Sequence, residues 1–106
     1  MVSTMSHVSH DHFPEAVSEL MCERGWSQRD LCTAVGVDPA HLCRLLKRGS
    51  RLRPTPELLA RIARACDIAP EFFVEYREWC VLEAVRSNPT LRERLYARVV
   101  VREPVT

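Results

Sequence analysis

The stretch from Ser27 to Gly49 constrains this chain more than any other, because its helix starts and stops fall at closely spaced places. Ser27 opens a Ser-x-x-Asp capping box with Asp30, in which each side chain satisfies a backbone N–H that a first helical turn leaves bare. Gly36 follows the first apolar run, where a residue able to take positive φ ends a helix at little cost. Asp38-Pro39 then supplies an N-cap and a proline at the first helical position, where the missing N–H is no loss. Two short helices joined by a tight turn are predicted.

The second of these helices, 38–48, has two unlike faces. At about 100° per residue, Leu42, Leu45 and Leu46 gather on one side. Ala40, Cys43, Arg44 and Lys47 fall on the other, flanked by His41 and Arg48. The leucines can hold the helix to a body while small and cationic side chains project outward. Helix, glycine turn and helix with such a face is the helix-turn-helix pattern, in which small residues allow close approach and Arg or Lys reaches guanine edges or phosphates. The plainer alternative is a solvated basic face on a surface helix.

Composition narrows the classes. The chain has 106 residues, 46% of them hydrophobic, enough for one modest core. Its net charge of +1 argues nothing about partners, but the distribution does. Arg44, Lys47, Arg48, Arg51, Arg53, Arg61 and Arg64 lie in one stretch with Glu57 as the only acid, and Glu71, Glu75, Glu78 and Glu83 follow. A basic patch on a neutral chain suits a DNA reader whose remaining surface does another job. No apolar run has membrane-span length and no signal-peptide core is visible, so no membrane role and a cytoplasmic location are expected.

Five cysteines without a C-x-x-C pair fit neither a zinc ribbon nor a disulfide framework, and reduced, mostly buried thiols are expected. His7, His10, Asp11 and His12 are suitable metal ligands, but they precede any element that would fix their geometry. Neither metal nor cofactor is expected. His41 lies on a helix exterior with no carboxylate partner nearby in sequence, so nothing converges as catalysis requires.

Residues 1–12 are polar and aperiodic, the pattern of a mobile tail. Phe13-Pro14 opens a helix in which Phe13, Val17, Leu20 and Met21 face a core, and Gly25 stops it. In the next helix Leu31, Cys32 and Val35 turn inward, leaving Gln28 and Arg29 free. In the loop from Gly49 to Pro56, Arg51 and Arg53 are expected to face solvent, where a phosphate backbone would pass, and Leu52 to face in. Thr55-Pro56-Glu57 caps a fourth helix with Leu58, Leu59, Ile62, Ala63 and Cys66 as its buried stripe. Asp67 ends it, and a fifth runs from Pro70-Glu71 to about Arg86. Ser87-Asn88-Pro89 recaps the chain before the Leu91, Leu95, Val99 line.

The ordered set Gly25-Trp26-Ser27-Gln28-x-x-Leu31-Cys32, Gly36-Val37, Leu42-Cys43-x-Leu45, Gly49 and Pro54 resembles the XRE-type family of phage-repressor and Cro-like DNA-binding domains. The likeness continues through Leu58-Leu59, Ile62-Ala63, Ala65-Cys66 and Ile68, and covers about Phe13 to Phe73. It implies an all-α fold, a five-helix phage-repressor-like bundle over 13–73; residues 74–106 lie outside that bundle and are expected to form a C-terminal helical extension. It also implies a transcription regulator, usually dimeric, on operator DNA. Gln28 resembles the residue that contacts phosphate or supports the recognition helix. Ala40, His41, Cys43 and Arg44 resemble the base-facing set, and Lys47, Arg51 and Arg53 the backbone contacts; Arg29 and Arg48 adjoin them. The chain departs from the pattern at Cys32, where alanine is common, at Leu46, where an acid is common, and in more residues between Gly49 and Pro54.

One such domain presents one half-site reader, and a dimer presents two about 34 Å apart. Tyr76, Trp79, Leu82 and Val85, with Leu91, Leu95 and Val99, exceed the needs of one small bundle and form the expected homodimer surface. The alternatives are a sixth helix closing a longer monomer core, or a protein-interaction module, an antitoxin or co-regulator, gripping another protein.

Overall fold

The structure, a computed structural model, describes residues 8–47 and 49–101. Six α-helices are present: α1 Phe13–Arg24, α2 Gln28–Val35, α3 Pro39–Leu46, α4 Pro56–Ala65, α5 Val74–Arg86 and α6 Pro89–Leu95. A 3-10 turn at Pro70–Phe72 precedes α5, and a π-helical segment, Tyr96–Val101, follows α6. No strand occurs among the described residues.

The local signals do what their chemistry requires. Gly25 and Gly36 end α1 and α2 in the left-handed region, at φ 67° and 78°. Asp38, Thr55 and Asn88 each accept a backbone N–H from the third residue onward, starting α3, α4 and α6. At the end of α4 the left-handed residue is Asp67, at φ 58°, just past the Cys66 cap. Aspartate is among the few side chains that tolerate that conformation.

Among the described residues, every buried apolar residue lies between Phe13 and Phe73. The expected inward stripes of the first four helices form one cluster, with Met21, Trp26, Val37 and Leu46 packed against it. Phe73 closes the cluster. It is fully buried, with its ring 5.9 Å from that of Phe13 and edge-on to Phe72 at 5.3 Å. Its backbone is extended (φ −84°, ψ 133°), so the helix expected to run from Pro70 is broken there. Both phenylalanines are buried at this break between the 3-10 turn and the next helix.

Two further expectations are corrected. Of the described part of the tail, Ser9 is buried, its N–H donating to the Phe72 carbonyl at 3.0 Å, while its own carbonyl accepts from Arg77 at 2.8 Å. Val8 to His12 are thereby joined to the body, and residues 1–7, His7 included, lie outside the described residues. Thiols are not mostly buried: Cys32 and Cys66 are, whereas Cys22, Cys43 and Cys80 are exposed, and all five are free.

Neither α5 nor α6 contributes a buried residue. The radius of gyration is 16.9 Å, against about 13 Å for a compact chain of ~100 residues. The extension stands off the body and is attached at its root. There Glu75 Oε2 accepts the N–H of Phe13 at 2.7 Å, serving as the cap that His12 does not supply to α1.

Candidate nucleic-acid interface

The interface is built on α2 and α3. The capping box at the start of α2 is complete, with Asp30 N–H donating to Ser27 Oγ at 3.1 Å and Ser27 N–H to Asp30 Oδ2 at 2.9 Å. Hydrogen bonding to the Asp30 carboxyl from the Ser27 backbone N–H first, and then from the Ser27 side chain, holds it below the usual carboxylate range, with the Arg29 charge adding to them. Gln28 and Arg29 are exposed in this first turn.

The turn is locked from outside. After Gly36 the carbonyls of Val35 and Gly36 have no helical partner, and Arg61 of α4 donates to both, at 2.8 and 2.7 Å. A Cβ on Gly36 would stand 3.1 Å from that guanidinium, so a side chain there would be strained by its φ and would also crowd Arg61. Cys32 packs beneath the turn, and burial first, then the Asp38 charge, pushes its thiol up. The small residue at this position is a packing feature.

On α3 the two faces separate as the periodicity requires. Leu42 and Leu45 are 0% and 2% exposed, whereas Ala40, Cys43 and Arg44 are exposed and His41 is half-buried. The helix is shorter than the expected 38–48: it ends at Leu46, and Lys47 is its extended C-cap, so Lys47 is exposed without continuing the helical face. Arg48 lies outside the described residues. Arg44, Lys47 and Arg51 make no hydrogen bond or ion pair to another described residue. Such uncommitted cations are what phosphates and guanine edges need.

The loop departs from expectation in two ways. Leu52 is 50% exposed instead of facing in, because its N–H donates to Ser50 Oγ at 3.1 Å in a local turn that leaves its side chain outside. Arg53 is exposed but not free. It pairs with Glu78 of α5 at 2.6 Å.

Three structural arginines have no signature in the sequence. Besides Arg61, Arg24 donates to the Cys66 carbonyl at the end of α4, and Arg77 donates to the Glu71 and Phe72 carbonyls of the 3-10 turn. Arg61 therefore leaves the set of outward cations. Its only signal is the general need of helix C-terminal carbonyls for donors.

In the extension, Tyr76 packs partly on the core with its ring 5.6 Å from Trp79. Trp79, Leu82 and Val99 are exposed at 38%, 53% and 61%, while Val85, Leu91 and Leu95 are half-buried. Among the described residues no three His, Cys, Asp or Glu are grouped to hold a metal ion. No described helix is long and apolar enough to cross a membrane.

A family model described as helix-turn-helix matches residues 17–73, more than half of the chain. No curated protein and no solved structure matches it.

Proposed function

The chain belongs to the helix-turn-helix family of XRE/Cro-like type, a family of DNA-binding transcription regulators, and on that premise we propose that it reads a specific operator as a homodimer. In this reading α3 lies in the major groove, Ala40, His41, Cys43 and Arg44 meet base edges, and Gln28, Arg29, Lys47 and Arg51 hold phosphates. The observation that carries it is the outward face of α3, where Arg44 is exposed, has no partner among the described residues and points away from the buried Leu42 and Leu45. The homodimer rests on the apolar surface of α5 and the residues beyond it, since one copy offers one half-site reader.

Selection of bound duplexes from a random library tests both parts. A two-fold-symmetric site with half-site centres about 10 base pairs apart is expected. Recovery of no common sequence would reject specific reading, and a single unrepeated half-site would reject the homodimer.

The exposed Trp79 and Leu82 also favour a second reading, a protein-interaction module that is an antitoxin or co-regulator. Its mark would be a different polypeptide that co-purifies with the chain and is lost in Trp79→Ala.

A further inference from the structure

The body and the extension leave an apolar groove between them. Its floor and walls come from Pro54, Pro56 and Leu59 on one side and Val74, Trp79 and Leu82 of α5 on the other, and its volume is about 940 Å³. Most of its charged rim is already engaged: Arg53 pairs with Glu78, Arg77 holds backbone carbonyls, and Glu75 caps α1 through Oε2, while Glu75 Oε1 is buried without a hydrogen-bond partner among the described residues. The rest of the lining is mainly apolar.

The same chain carries an apolar projection. Tyr96, Val99, Val100 and Val101 are 54%, 61%, 65% and 49% exposed on the π-helical segment, whose packing is against α6. So large a cluster of exposed β-branched and aromatic side chains is uncommon on a monomer. A chain with an open groove and an open projection can cover both at once by pairing with a copy of itself, because a two-fold axis repeats each contact.

We propose that the Tyr96–Val101 segment of one copy seats in the Pro54–Pro56/α5 groove of a second copy, and reciprocally. This rests on the homodimer reading and names the contact that makes it. The size of the contact favours a second copy. A stable interface takes about 20–30 residues from each partner, and six residues in a single groove fall well short. A reciprocal pair draws on the twelve residues lining the groove as well as the six of the segment in each copy, close to the lower edge of that range. An unrelated chain that offered only a short segment would not reach it.

The experiment uses the full chain. Val100→Asp removes the projection and Leu82→Arg blocks the groove; both positions are exposed, and circular dichroism checks that each variant keeps the wild-type helix content. Light scattering is expected to give a dimer for wild type and a monomer for each variant alone. Mixing the two variants restores one intact segment–groove pair, so a mixed dimer is expected at roughly tenfold or greater weakening. With a photo-crosslinking residue at position 100, the intermolecular adduct should map to 54–59 or 74–82. A wild-type dimer left intact by Val100→Asp, or adducts mapping to 91–101 of the other copy, would overturn the seat and leave the homodimer standing. A monomeric wild type would overturn both.

Discussion

Arginine has two roles in this chain, distinguished by what each guanidinium touches. Arg61 spends its donors on the Val35 and Gly36 carbonyls, whereas Arg44 has no partner among the described residues. Arg61→Met should therefore lower the free energy of unfolding by about 1–2 kcal/mol, the scale of lost charge-assisted bonds at a partly exposed site. Denaturant melts measure this, and operator affinity corrected for the folded fraction should be unchanged. The capping box makes a pH-dependent prediction. Because Asp30's folded pKa is depressed, its contribution is fully present above its ordinary unfolded value of about 3.9, and it is lost as pH falls through the lower folded value. The stability gap between wild type and Asp30→Ala should accordingly be constant from pH 7 to about pH 5 and close on further acidification. A gap independent of pH down to 2 would contradict this. At this scale the caps were legible, since Ser27, Gly36 and Asp38 act on residues within four positions. The arginine staples were not, because Arg61 and Arg24 act across 25 or more residues that only the fold brings together.

Among the elements, the first four helices follow from the sequence because α2, α3 and α4 each have a capping side chain at the start, α1 opens on Phe13-Pro14, and all four carry an apolar stripe at helical spacing. The fifth does not, since Phe72 and Phe73 both go into the core and the chain kinks between them and α5. Periodicity alone carries no signal for that choice. Leu52 misled for a related reason: alternation with two arginines suggested an inward side chain, but a serine-based turn sets the loop's direction. The same loop links the body to the extension through Arg53 and Glu78. An exposed pair of this kind contributes at most about 1 kcal/mol to stability, so its consequence lies in binding. Glu78→Gln should free Arg53 for phosphate, strengthen DNA binding several-fold at low salt and steepen the salt slope by about one unit. Equal slopes for wild type and Glu78→Gln would show that Arg53 does not reach the DNA.

At the scale of the molecule, one core between Phe13 and Phe73 carries α2 and α3, and the described helices beyond it have no fully buried residue. That division was visible in the sequence as a surplus of large apolar residues after Phe73. How that surplus is arranged was not, because which of these side chains share a surface is decided only in three dimensions. The central claim is that the outward face of α3 reads DNA sequence, and Arg44 tests it most directly. Binding of wild type and Arg44→Ala should be measured against the selected operator and a scrambled duplex over a range of salt. The wild type should prefer the operator strongly, with affinity falling steeply as salt rises. Arg44→Ala should lose about 1–3 kcal/mol on the operator, with much less change on the scrambled duplex. Salt-insensitive binding, or an Arg44→Ala variant that keeps the full preference for the operator, would contradict it.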